Sequence, residues 1–280
     1  MKIKDLIKNS TELLNKNSIL TSKLDVKILL SYILNIERND LFLMYENELN
    51  SNLEQNFYNL LNRRINREPI ANIIEKKPFW DYEFYVNKNV LTPRCDSEIL
   101  IEAVLENFKN KDEKLKILDL GTGSGCLILT LLKLYKNSNG LAIDISDKAL
   151  EVAQKNAKSL NINNIEFLKN NWNDSINEKF DIIISNPPYI PTNAIKHLEP
   201  EVNIFNPMVS LDGGNDGLDP YRYLALNLKK NTKQSTQIFL EIGKDQENDI
   251  ENIFNNNFML KKSYKDLGGI IRILNFKIKD

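Results

Sequence analysis

The chain has 280 residues, of which 42% are apolar and 27% charged, enough for one large or two smaller packed cores and far from a disordered composition. A formal net charge of -1 gives no global attraction to nucleic acid, so none is expected as a direct partner. With only Cys95 and Cys126, no Cys-x-x-Cys pair and the single histidine His197, a zinc site and a His-based triad are close to excluded and no metal is expected.

The first residues, Met1 to Asp5, lead into a segment broken by Lys8 and Asn9, so neither a signal peptide nor a membrane span is expected, and the cytoplasm is the default location. Residues 1 to about 70 read as successive helices. Ser22-Lys23-Leu24-Asp25 opens a periodic run of Val26, Leu29, Leu30, Ile33 and Leu34, and Ser51-Asn52-Leu53-Glu54 has the capping-box pattern before Phe57, Leu60, Leu61 and Ile65. Arg63, Arg64 and Arg67 form a basic cluster near the end of this bundle; a solvated helix face is favoured over a partner contact. Pro69 and Pro78 bracket the exit. Trp80, Tyr82, Phe84 and Val86 then alternate with Asp81, Glu83 and Tyr85 as in a half-buried strand, and Val90-Leu91 follows an Asn87-Lys88-Asn89 turn. The expected organisation is a helical domain over 1–75, a β-hairpin linker over 76–92 and an α/β domain over 93–280.

Asp96 is a good N-cap for a helix from Ser97 to about Phe108. From residue 115 strands and helices alternate: strands at 116–120, 141–145, 165–168, 180–185, 237–242, 258–263 and 270–276, with helices between most of them. That pattern predicts an open α/β sheet of seven strands, which binds its ligand at the carboxyl ends of the strands where the winding reverses. The first of these strands ends in Asp119-Leu120-Gly121-Thr122-Gly123-Ser124-Gly125. Alternate glycines allow a tight turn and close backbone approach, and the helix that follows offers free N–H groups. Cys126 stands where a dinucleotide fingerprint would have its last glycine. The second strand ends in Asp144, placed to accept hydrogen bonds from two ribose hydroxyls. A nucleoside site results, tilted away from NAD and toward S-adenosylmethionine; tight-turn packing is the structural alternative.

The run Phe180 to Ser185 is continuously apolar apart from Asp181, the pattern of a strand buried on both faces. Asn186-Pro187-Pro188-Tyr189 follows. Two prolines forbid helix and ladder hydrogen bonds, so an amide side chain, a bare carbonyl and an aromatic ring project from the end of a rigid strand. Asn-Pro and Pro-Pro are also common loop punctuation, and the glycine run and Asp144 are what favour a site.

Together these motifs resemble a family. Asp119 to Gly125 looks like the first motif of class I methyltransferases, and Asn186-Pro187-Pro188-Tyr189 like the signature of those that methylate planar amide or amine nitrogens. Glu68-Pro69-Ile70-Ala71, the Phe79 to Val86 hairpin, Leu91 to Glu98, Glu199-Pro200-Glu201-Val202, Leu211 to Asp219 and Tyr221-Arg222 resemble the peptide chain release factor glutamine methyltransferases (HemK/PrmC). The chain departs from the family at Cys95, near Glu75 and at Asn206-Pro207. The resemblance implies a Rossmann-like seven-stranded class I methyltransferase sheet behind a helical substrate-recognition domain, acting as a monomer. It implies that Gly121, Thr122, Gly123, Ser124 and Gly125 carry the methionine end and ribose of S-adenosyl-L-methionine, with Asp119 in the same motif, Asp144 on the ribose and Trp172 on the adenine. A core aromatic is the plain alternative for Trp172. Asn186, Pro187, Pro188 and Tyr189 would hold the glutamine of the release factor's Gly-Gly-Gln loop, with Asn186 also among the cofactor-binding residues.

The residue types suit that chemistry. A carboxamide nitrogen is a poor nucleophile, so positioning must do most of the work. The Asn186 oxygen and the Pro188 carbonyl can each accept one N–H of the target amide and stabilise the charge growing on its nitrogen, while Tyr189 would pack over the flat group and exclude water. The rival expectations are methylation of adenine N6 or guanine N2 in nucleic acid, of a ribosomal-protein glutamine, or a module that binds a nucleoside without catalysis. Arg94 and Glu98 lie on a segment that could lean over the cofactor, His197 reads as a loop residue, Cys126 as a small apolar filler, and Asp181 and Glu241 flank strand ends where support and function are both open.

Overall fold

A computed structural model describes residues 1–172 and 176–279. The chain packs as two units, one of residues 1–76 and 199–205, the other of 77–198 and 206–280. The sequence pattern placed 199–205 in the α/β domain; the structure gives this short piece to the helical unit.

The helical unit contains α1 (Ile3–Lys16), α2 (Ser22–Leu34), α3 (Ser51–Ile65), α4 (Ile70–Ile74) and α8 (Pro200–Asn203). Its core is the apolar stripe read from the periodicity: Val26, Leu29, Leu30, Phe57 and Leu61 are buried, and Ile33, Leu34, Leu60 and Ile65 pack around them. The cap of α3 differs from expectation. Asn50, not Ser51, is the N-cap, its Oδ1 accepting from the Leu53 N–H at 2.9 Å, since a capping side chain must precede the first helical residue. The arginine cluster is not a solvated face. Arg64 is 6% exposed and donates to Asp25 at 2.7 Å and to Glu201 at 3.0 Å, while Arg67 donates to Glu201 at 2.7 Å and Arg63 holds Glu68. Arg64, in the last turn of α3, and Arg67, just beyond it, thus bind the 199–205 segment into this unit, while Arg63 closes the end of α3 onto Glu68.

The second unit opens with a hairpin, β1 (Lys76–Phe79) and β2 (Tyr82–Tyr85). It turns at Trp80-Asp81, where Trp80 has φ +54°, and not at the later Asn-Lys-Asn; Phe79 and Phe84 meet edge to face behind it. The Glu98 carboxylate accepts the Trp80 N–H at 2.8 Å, so Glu98 anchors the hairpin. A 3-10 turn at Cys95–Ser97 leads into α5 (Glu98–Asn107). Asp96 does not cap this helix; its carboxylate faces Arg272 at 3.4 Å.

The remaining elements are β3 (Lys116–Leu120), α6 (Cys126–Leu134), β4 (Asn139–Asp144), α7 (Asp147–Ser159), β5 (Ile165–Lys169), β6 (Phe180–Ser185), α9 (Asp219–Asn227), β7 (Thr232–Glu241), α10 (Glu247–Phe254), β8 (Phe258–Lys265) and β9 (Ile271–Ile278). The seven-stranded sheet runs β5-β4-β3-β6-β7-β9-β8, parallel except where β9 pairs antiparallel with β7 and β8. Ile117, Leu118 and Leu120 of β3 and Ile182, Ile183 and Ile184 of β6 are buried, as a strand covered on both faces requires. Each fully buried Leu or Ile contributes about 1.5–3 kcal/mol, so these two strands anchor the core of the unit.

The winding reverses between β3 and β6. Leu120 is level with Ile143 of β4 on one side and with Ser185 of β6 on the other, and Ser185 is level with Leu240 of β7. The next residue along each strand therefore lies at one edge of the sheet: Gly121 and Asn186, just past β3 and β6, and Asp144 and Glu241, the last residues of β4 and β7. No helix among the described residues is long and apolar enough to cross a membrane.

Candidate active site

At that edge lies a cavity of about 540 Å³. Its walls come from the glycine loop (Gly121, Thr122, Gly123, Ser124), the end of β4 (Asp144, Ile145), Asn170 to Trp172, and Asn186, Pro187 and Pro188. Residues 89–94, including Arg94, and the loop at 207–212 complete it. The structure thus brings together most residues singled out from the sequence. Asp119, Gly125 and Tyr189 stand behind the wall rather than in it.

The glycine loop is shaped by its own backbone. Gly121, Gly123 and Gly125 have φ of +78°, +56° and +80°. At Gly125 a Cβ would come within 2.9 Å of the Leu129 side chain and 3.2 Å of Ala153, so with its positive φ the position favours glycine where α6 starts beside α7. Asp144 ties the loop to β4: one carboxylate oxygen accepts the Gly123 N–H and the other the Ser146 N–H, both at 2.9 Å. Burial raises the pKa of Asp144 and these backbone donors pull it back. Each oxygen keeps a lone pair, and the residue lines the cavity.

Asp119, 1% exposed, accepts from the Thr122 hydroxyl at 2.7 Å through Oδ2. Its Oδ1 has no hydrogen-bond partner among the described residues, and desolvation pushes the carboxyl up to about 7. A buried acceptor without a donor beside a glycine loop is a place for a ligand's positive or N–H-bearing group. Trp172 is held at both ends of its backbone, its N–H donating to Asn170 Oδ1 at 2.6 Å and its carbonyl accepting from the Tyr223 hydroxyl at 2.7 Å, which presents the indole to the cavity beside Gly121.

Asn186 leaves β6 with its carboxamide against Ser97: Nδ2 donates to Ser97 Oγ at 3.3 Å, and the Ser97 hydroxyl donates to Glu241 Oε2 at 2.5 Å. Glu241 is 2% exposed; burial raises its pKa, while the Ser97 hydrogen bond and the charges of Arg94 and Arg272 oppose that rise. The ring of Tyr189 sits near Gly243 and its hydroxyl points at Glu241 Oε1 at 3.5 Å. Burial pushes that phenol up to about 12, so it stays protonated and acts as a donor. The Tyr189 carbonyl accepts from Gln246 Nε2 at 3.0 Å, and Ile190 exchanges backbone hydrogen bonds with Leu211 and Gly213. Ser97, Gln246 and Ile145 were not singled out as site residues from sequence. Ser97 was read as a helix start, Gln246 lies far along the chain, and only the position after Asp144 marked Ile145.

His197 lies in an exposed 3-10 turn, Cys126 is a buried free thiol and Cys95 an exposed one. Among the described residues no group of three or more His, Cys, Asp or Glu side chains could hold a metal ion.

A seven-stranded sheet with a glycine loop, an acid on the second strand and a half-buried amide just past the fourth defines a methyltransferase, and the family described as "Methyltransferase domain" matches residues 111–267. The family described as "PrmC N-terminal domain" matches residues 5–74. The chain is 37% identical to the release factor glutamine methyltransferase of Clostridium acetobutylicum over 98% of each chain, and 39% identical to that of Caulobacter vibrioides over 82% of this chain and 80% of the relative. It belongs to the release factor glutamine methyltransferase family. It is also 36% identical over 98% of its length to a bifunctional methyltransferase of Rickettsia felis, of which it spans 58%. A methyltransferase from Pyrococcus furiosus, at a TM-score of 0.52 and 18% identity over 79% of this chain and 98% of that one, shares the fold.

Proposed function

We propose that this chain transfers the methyl group of S-adenosyl-L-methionine to the side-chain amide nitrogen of the glutamine in the Gly-Gly-Gln motif of class 1 peptide chain release factors. The observation that carries the reading is the Asn186 carboxamide and the Pro188 segment standing in the wall of the same cavity as Asp144 and the glycine loop. Family membership supplies the substrate class.

S-adenosyl-L-methionine, when bound, supplies an electrophilic methyl group on a sulfonium. Gly121, Thr122, Gly123 and Ser124 would cradle it, Asp144 would accept from its ribose hydroxyls and Trp172 would face its adenine, while Asp119, behind the wall, would hold the loop in shape through Thr122. The chain's own part in the chemistry is positioning. Asn186 Oδ1 and the Pro188 carbonyl accept the two N–H groups of the target amide, which fixes its plane and turns its lone pair inward. The same two dipoles stabilise the positive charge that develops on nitrogen. A base is not needed beforehand, because the N-alkylated amide cation is strongly acidic. Tyr189, backed by Glu241 and Gln246, keeps the motif rigid.

The test is fragmentation mass spectrometry of a purified release factor after incubation with the protein and S-adenosyl-L-methionine. A methyl group on the Gly-Gly-Gln glutamine is the expected result. Methylation of a ribosomal protein or of nucleic acid with the release factor untouched would overturn the reading.

A further inference from the structure

A carboxamide has two ends of opposite polarity. Asn186 can serve as an acceptor for a substrate N–H only if Oδ1, not Nδ2, faces the cavity; with the ends exchanged, two N–H donors would oppose each other. Nothing in the strand or in the two prolines chooses between the orientations, because the two ends occupy nearly the same volume.

What chooses is a chain of two hydrogen bonds drawn from two other elements. Glu241, at the end of β7, offers acceptors alone when ionised; burial raises its pKa, and the Ser97 hydrogen bond with the charges of Arg94 and Arg272 opposes that rise. It takes the one proton of the Ser97 hydroxyl, Oγ to Oε2 being 2.5 Å. Ser97 Oγ then has only lone pairs to offer, and at 3.3 Å from Asn186 it selects the NH₂ end. We propose that Ser97 and Glu241 are positioning residues that fix the Asn186 carboxamide with its oxygen toward the substrate. The inference rests on the reading of Asn186 as the acceptor for the target amide. Register supports it: Ser185 and Leu240 are paired neighbours, so Asn186, just past β6, and Glu241, the last residue of β7, stand level on adjacent strands, and the 3-10 turn before α5 places Ser97 between them.

Ser97→Ala removes the selecting group while leaving the cavity open. A lost orienting hydrogen bond of this kind lowers kcat by about 10- to 100-fold, with KM for the release factor and Kd for S-adenosyl-L-methionine within about 3-fold. Ser97→Thr restores the hydroxyl and recovers kcat to within about 5-fold of wild type, a rescue that a packing role would not produce. Glu241→Gln leaves one acceptor for the two hydroxyls of Ser97 and Tyr189, which weakens the selection of the NH₂ end and lowers kcat by about 10-fold. Wild-type kcat in Ser97→Ala, or equal losses in the Ala and Thr variants, would overturn the proposal.

A second measurement needs no substrate. In side-chain ¹H–¹⁵N spectra of the apo protein, with Asn186 assigned from the Asn186→Ala spectrum, one Nδ2 proton of wild type is protected from exchange and the protection disappears in Ser97→Ala. If the wild-type enzyme leaves release factors unmethylated, the proposed substrate fails while this readout still decides the positioning; unprotected wild-type Nδ2 protons would refute the positioning alone.

Discussion

The buried carboxyl of Asp119 gives the most direct quantitative test. Its folded-state pKa is raised from 3.8 to about 7 by desolvation at the end of β3, with Asp144 adding to the rise and the Thr122 hydroxyl opposing it. The folded protein keeps this proton up to near neutrality, whereas the unfolded chain gives it up near pH 4. Between those values folding takes up a proton, so the stability of the ligand-free protein falls as pH rises, and the loss is complete above pH 7. About three pH units at about 1.4 kcal/mol each amount to about 4 kcal/mol. Asp119→Asn removes the titration and can still accept from Thr122. Urea unfolding of the two ligand-free proteins at pH 5 and pH 8 should show Asp119→Asn gaining about 2.5–3 kcal/mol relative to wild type on going to the higher pH, since about two of those three pH units lie in that interval. Parallel stability curves would refute a buried carboxyl of raised pKa at this position.

Other outcomes follow from the same geometry. Asn186→Ala should lower kcat by about 100-fold or more while calorimetry finds cofactor affinity within a few-fold, because the acceptor is needed for the transition state and not for the cofactor. Asp144→Asn places an NH₂ against either the Gly123 or the Ser146 N–H and should weaken S-adenosyl-L-methionine binding by about 10- to 100-fold in the same assay. Gly217 has φ +80° and its Cβ would stand 2.4 Å from the Tyr189 carbonyl oxygen; Gly217→Ala should therefore displace Tyr189 and lower both turnover and, by about 1–3 kcal/mol, stability. Arg64→Ala strands Asp25 and half of Glu201 and should destabilise the helical unit by about 3–5 kcal/mol, read as faster hydrogen exchange in α2 and α3.

The parts of the fold legible from sequence are those that local chemistry dictates. The apolar runs of β3 and β6 admit only a strand buried on both faces, and the stripe of Val26, Leu29 and Leu30 only a helix against a core. The glycine loop was legible because a positive φ at three alternate positions leaves few other residues possible. Errors fell where two local solutions are nearly equal in energy. Asn50 and Ser51 are both good caps, and which one precedes the first helical residue depends on where the incoming chain bends. The hairpin turned at Trp80 instead of at the more turn-like Asn87-Lys88-Asn89, because Glu98, from another element, receives the Trp80 N–H.

By itself the sequence determined the glycine loop, the Asn186-Pro187-Pro188-Tyr189 segment and the strands that carry them, since each is written in consecutive positions whose conformations are set by glycine, proline and apolar periodicity. The tertiary structure alone decided the pairing of Arg64 with Asp25 and Glu201, the support of Tyr189 by Gln246, and the Ser97–Glu241 chain behind Asn186. Those partners are separated by tens to more than a hundred residues, and a lone serine or glutamate carries no local preference for one of them. Sheet register brings them level, and a directional hydrogen bond exists only once both of its atoms have been placed.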